Sequence, residues 1–149
     1  MQKKIILLLL CIVLVALVWI RRPQHISSLL DWQNKEIAYC TIAKESGEDT
    51  AQIRLTEAEE IAAFCDLLDA HTVSFHFWYD NQITYDASQD LYWVRIFYAD
   101  HTASAPIAFL SDGHVFYNHI EYRLHSTEQA VVTKELERWL ENSENTADR

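Results

Sequence analysis

The chain has 149 residues, half of them apolar, with only 2 Gly and 2 Pro, which excludes a disordered or low-complexity polymer and leaves room for one core of common size. All 22 acidic residues follow Pro23, whereas four of the 12 basic ones precede it, so the part after Pro23 sets 22 acidic against 8 basic residues, a formal −14. Such a surface repels phosphate backbones and anionic headgroups, which argues against nucleic acid as a partner.

The N-terminal stretch Ile5 to Ile20, IILLLLCIVLVALVWI, holds sixteen residues without a charge, Gly or Pro. Lys3 and Lys4 precede it, and Arg21, Arg22 and Pro23 close it. As a helix it covers about 24 Å, against a hydrocarbon layer of roughly 30 Å; snorkelling Lys and Arg and an interfacial Trp19 are read as making up the deficit. The expectation is one membrane-spanning helix over residues 1–22. Nothing in VWIRRPQ resembles the small-residue site of a cleaved signal peptide. The bulky Leu10 before Cys11 speaks against lipidation, and the absence of a polar face speaks against a buried core helix. Positive charges nearly balance across the run, and an uncleaved signal anchor places the C-terminal domain outside the cytoplasm.

Residues 23–35 read as a juxtamembrane stalk, with a short turn carrying Leu29, Leu30 and Trp32. Glu36–Lys44 and Ala51–Leu55 alternate as two strands around a polar turn at Gly47. Thr56 and Glu59 form a capping box for a helix whose apolar face is Ala58, Ile61, Ala62, Cys65 and Leu68. Val73, Phe75, Phe77 and Tyr79 alternate as a strand, and an acidic loop runs from Asp80 to Asp90. Leu91–Tyr98 is the strongest strand, with Tyr92, Val94, Ile96 and Tyr98 on one face and Trp93, Arg95 and Phe97 on the other. Pro106–Leu110, Val115–Tyr117 and Ile120–Leu124 are further strands, joined by tight turns at Asp112-Gly113 and Asn118-His119. Ser126 and Gln129 cap a last helix with Val132, Leu136, Trp139 and Leu140 in its stripe. It closes a domain over 36–141 and leaves 142–149 as a flexible tail. Consecutive strands with short turns imply an α+β fold, a mainly antiparallel sheet of about six or seven strands with two amphipathic helices.

The run TEAEEI from Thr56, DLL from Asp66, YWVRIFY from Tyr92 and SDGHVFYNHIEYRL from Ser111 resembles small membrane- or lipid-anchored proteins of Gram-positive bacteria. The resemblance spans Ile37 to Leu140. It implies an extracytoplasmic domain of uncharacterised function and brings no catalytic residues with it.

Chemistry is sparse. His71, His76, His114, His119 and His125 show neither a two-His helical pair nor a zinc spacing, and read as surface or turn residues, so no metal or other cofactor is expected. Asp80, Asp86 and Asp90 do not match a calcium loop. No G-x-S-x-G is present, and Cys40 and Cys65 sit at core positions, so no catalytic residue is assigned. Trp78, Tyr85, Trp93 and Phe97 fall on or near the face opposite the expected core, where aromatic side chains anchor interfaces. The reading is a single-pass cell-membrane protein presenting a binding module to another envelope protein or a peptide; an envelope hydrolase with a dispersed site is the alternative. Cys40 and Cys65, the two cysteines outside the anchor, lie on a strand face and a helix face that should pack against each other and are expected to form a disulfide if their Cα atoms come within about 7 Å, two unpaired core thiols being the other possibility.

Overall fold

The structure is a computed structural model that describes residues 2–30, 32, 35–47, 49–76, 89–125 and 127–147, excluding the side chains of residues 2–3 and 143–147. Among the described residues the chain is α+β, with three α-helices and eight strands in one antiparallel sheet. The helices are α1 (Gln2–Ile20), α2 (Ala58–Ala70) and α3 (Gln129–Ala147). The strands are β1 (Gln24–His25), β2 (Ile37–Ser46), β3 (Asp49–Leu55), β4 (Thr72–Phe75), β5 (Leu91–Tyr98), β6 (Ile107–Leu110), β7 (His114–Tyr117) and β8 (Ile120–Leu124). They lie in the order β1-β4-β8-β7-β6-β5-β2-β3.

Among the described residues no helix is long and apolar enough to cross a membrane. The expected anchor is therefore corrected, and with it the membrane as a partner, the single-pass placement, and the envelope binding module or hydrolase built on it. The physical reason is length: the uncharged run reaches only about 24 Å, and its Lys and Arg flanks do not extend the apolar span. Apart from the half-buried Leu17, the large apolar side chains of α1 are exposed, from 49% at Ile20 to 74% at Trp19.

Residues 24–30 are not a stalk. Gln24 pairs with Val73, Ile26 N–H donates to His71 O at 3.0 Å, and Ser27 Oγ donates to Asp69 Oδ1 at 2.5 Å. Ile26 is fully buried and Leu30 nearly so, because the apolar members of this segment find cover only against α2 and the sheet. This extra strand at one edge makes the sheet eight-stranded rather than six- or seven-stranded.

Helix α2 departs from its expected face. Its N-cap is Glu57, without a side-chain cap bond, so Thr56 does not close a capping box. The buried residues are Phe64 and Leu68, with Ile61 and Leu67 partly covered, while Ala58 and Ala62 face solvent. Burying Phe64, worth about 1.5–3 kcal/mol, outweighs burying two alanines and turns the helix accordingly. The Phe64 ring meets Trp139 of α3 edge-on at 5.7 Å. Helix α3 buries Val132, Leu136 and Leu140 at four-residue spacing and continues to Ala147, past the expected end near Asn142. Ser126, its expected cap, lies outside the described residues.

Two buttresses hold α3 to the sheet. Lys44 Nζ bonds Glu137 Oε1 at 2.7 Å and Asp90 Oδ2 at 3.1 Å, tying β2 to α3 and to the start of β5. Burial opposes the charge on Lys44, but the hydrogen bonds to Glu137 and Asp90 outweigh it and raise its pKa. A hydrogen bond from Ser46, and then Lys44, holds Asp90 below the usual carboxylate value against a smaller burial effect. At the other buttress, Gly113 takes φ +90° in the β6–β7 turn, where a Cβ would stand 2.8 Å from Gln129 Oε1. Gln129 meanwhile donates from Nε2 to Ser111 O at 2.6 Å.

Gly113→Ala is expected to lose about 1–3 kcal/mol by denaturant unfolding, from backbone strain and the clash together. Adding Gln129→Ala should recover the steric part only, so the double variant is less than additive. Lys44→Met should cost on the order of 1 kcal/mol near neutral pH, the upper range for a partly exposed pair. Because the Asp90 carboxyl is depressed in the folded chain, its contribution is present above the unfolded value and lost as pH falls through the folded one. The gap between wild type and Lys44→Met should therefore narrow as pH falls below about 4 in urea titrations.

Candidate functional site

Strand alternation sends successive side chains to opposite faces of the sheet. Phe75, Val115 and Tyr122 belong to the core under α2 and α3, so His76, His114 and Glu121 emerge on the other face. Strand order then brings them together. The register Phe75↔Tyr122 continues to a bond from His76 N–H to Glu121 O at 3.1 Å, placing His76 directly across from Glu121. In the β7–β8 hairpin His114 opposes Arg123 and Phe116 opposes Glu121, so His114 and Glu121 are diagonal neighbours.

One carboxylate oxygen serves both rings. Glu121 Oε1 lies 2.6 Å from His114 Nδ1 and 3.0 Å from His76 Nδ1, and the two rings meet at 71° with centroids 5.7 Å apart. An ionised carboxylate only accepts, so the proton in the shorter contact sits on His114 Nδ1. His76 Nδ1 is buried and not aligned for a hydrogen bond despite its distance. On its far side His114 Nε2 is 4.0 Å from Asp112 Oδ2. Asp112 is itself positioned by its Oδ1, which accepts from the His114 backbone N–H at 3.1 Å, and by Gln89 Nε2, which donates to Oδ2 at 3.2 Å. Glu121 keeps only 12% side-chain exposure. The imidazoles thus meet carboxylates, Glu121 beside both rings and Asp112 on the far side of His114. His76 and His114 were expected as separate turn or surface residues; they lie 38 positions apart, and only the β4–β8 pairing joins them.

The same face carries an aromatic strip. Tyr39 and Phe97 stack at 4.4 Å, Arg54 lies 4.1 Å over Tyr39 and Arg95 5.2 Å over Phe97. Of the four aromatic residues expected to bind, Phe97 is half-buried in this strip. Trp93 is half-buried beside Leu91, Ala108 and Leu110. Trp78 and Tyr85 lie outside the described residues. Among the described residues no group of three or more His, Cys, Asp or Glu is arranged to hold a metal ion.

Cys40 and Cys65 are free thiols in this structure, so the expected bond is not formed. Cys40 is fully buried and Cys65 half-buried. Burial, reinforced by the charge of Cys65, pushes the Cys40 thiol up to about 12. Burial, reinforced by Asp66, pushes Cys65 up to about 11.

No protein-family model, curated protein or solved structure matches this chain, which leaves its own residues to speak for its function.

Proposed function

We propose that the chain is a proton-responsive domain whose working element is the Glu121 carboxylate shared by His76 and His114. The observation that carries this reading is the single oxygen, Glu121 Oε1, within 2.6 Å and 3.0 Å of two imidazole nitrogens. Histidine titrates between about pH 5 and 8, within the range cells and their compartments span. With both rings neutral the trio carries one negative charge. One added proton makes it neutral, and a second makes it positive. A proton on His76 Nδ1 replaces a buried nitrogen without a hydrogen bond by a cation beside a carboxylate, and charge pairing tolerates the poor alignment better than a neutral hydrogen bond does.

Other charges face the trio. Asp112 approaches His114 from the β6–β7 turn, and Arg123 stands opposite His114 on β8. The ring of Phe116 lies nearly parallel to that of His114 at 6.5 Å and shields one side of it. Protonation therefore changes the charge of a sheet face that also bears Arg54 and Arg95, on a domain otherwise strongly acidic. The output is this change of surface potential, and its sensors are two rings coupled through one acid.

Side-chain NMR titration of the imidazoles over about pH 5 to 8 tests the reading. In Glu121→Gln the titration curves of both His76 and His114 should change together, while those of the exposed His101 and His119 stay as in wild type. Curves for His76 and His114 that are the same in wild type and in Glu121→Gln would remove the shared carboxylate from the explanation. Backbone amide spectra of the variant check that the sheet is intact.

A further inference from the structure

We infer that Arg54, Thr41 and Arg95 form a binding site for a small molecule that carries an oxyanion, carboxylate or phosphate, on a flat apolar ring. The site is built on β2, β3 and β5 and is independent of the histidine–carboxylate trio, which the pairing of β4, β7 and β8 brings together.

Thr41 of β2 pairs with Arg54 of β3 on one side and with Arg95 of β5 on the other, so the three side chains form one row across the sheet. The row lies on the face that α2 and α3 do not cover, and both arginines are exposed. Neighbouring strands are about 4.8 Å apart, which sets the two arginine Cα atoms roughly 10 Å from each other. In the next row on this face Ala43 stands between Gln52 and Trp93. Strand β2 thus lays down two small side chains, Thr41 and Ala43, between longer ones on β3 and β5. The result is a shallow trough with a guanidinium on each wall, closed at one end by the stacked Tyr39 and Phe97.

Charge decides what the trough takes. The residues after Pro23 set 22 acidic side chains against 8 basic ones, yet among the described residues neither Arg54 nor Arg95 is paired with a carboxylate. Arg95 donates from Nε to Ser104 O at 3.3 Å, which leaves its terminal nitrogens for a ligand. Arg54 lies 4.1 Å over the Tyr39 ring and Arg95 5.2 Å over Phe97. These contacts hold both guanidiniums in place before a ligand arrives, which lowers the ordering cost of binding. A carboxylate or phosphate offers two oxygens in the geometry of the guanidinium fork. With the oxyanion over Thr41, the group that carries it lies over Ala43 beside the half-buried Trp93, where a flat apolar ring finds an aromatic neighbour. The acidic remainder of the domain repels extended polyanions, which confines the ligand to a small molecule.

The test titrates the full chain calorimetrically at low salt with benzoate, phenyl phosphate, benzamide and inorganic phosphate. Benzoate or phenyl phosphate should bind saturably, and the tighter of the two tells a carboxylate source from a phosphate one. Benzamide lacks the charge and inorganic phosphate lacks the ring, so each should bind about tenfold more weakly or worse. Arg54→Gln should weaken the tighter probe about tenfold or more. Ala43→Ile, which fills the floor without changing the charge, should abolish its binding, with backbone amide spectra confirming that both variants keep the sheet. In wild type the amide shifts caused by the probe should centre on Thr41, Ala43 and Trp93. The inference is overturned if neither ring-bearing anion binds, or if benzamide or inorganic phosphate binds as tightly. Unchanged affinity in the folded variants, or shifts confined to His76, His114 and Glu121, would also overturn it.

Discussion

Everything in this molecule hangs on the two-residue period of its antiparallel sheet. Each strand sends alternate side chains to a face roofed by α2 and α3 and to a face that those helices do not cover. On β5 this separates Tyr92, Val94 and Ile96, which are buried under the helices, from Trp93, Arg95 and Phe97. On β7 and β8 it separates Val115 and Tyr122 from His114 and Glu121. A one-residue slip in either hairpin would exchange the two sets, placing a carboxylate and an imidazole in the apolar core. The desolvation penalty of those groups is what locks the register.

The helix-covered face is assembled by large side chains rather than by helix signals. Helix α2 turns Phe64 and Leu68 inward and lets two alanines face water, and it begins without a side-chain cap. Packing area decides its rotation, because an aromatic ring against Trp139 and the sheet is worth several small contacts. The same logic draws in Ile26 and Leu30, whose sequence neighbourhood reads as a connector. Apolar residues next to an uncovered sheet edge join the core when the backbone finds hydrogen bonds there, as it does at His71 and Val73.

The opposite face mixes a small apolar cluster around Leu91, Ala108 and Leu110 with the charged and imidazole groups of the site. Its polar groups lie against partners: guanidinium groups over aromatic rings, His114 hydrogen-bonded to Glu121, and His76 beside the same carboxylate without a hydrogen bond. A nearly buried carboxylate such as Glu121 needs its charge balanced, and its nearest ring nitrogens belong to two histidines. The turn at Gly113 and its contact with Gln129 fix the hairpin that presents one of them. Sheet, turn and site are thus one continuous construction.

Local pattern was enough to read several parts of this chain. The alternation in Leu91–Tyr98, the Asp112-Gly113 and Asn118-His119 turns and the apolar stripe of Val132, Leu136 and Leu140 all follow from short-range rules that need no partner. Tertiary structure alone decided the rest. The strand at Gln24–His25 exists only because β4 offers an edge. The meeting of His76 with His114 depends on which strands become neighbours, a long-range choice made by the core and invisible in the spacing of the residues. Periodicity says which face a side chain takes; only the packing of the other face says beside whom.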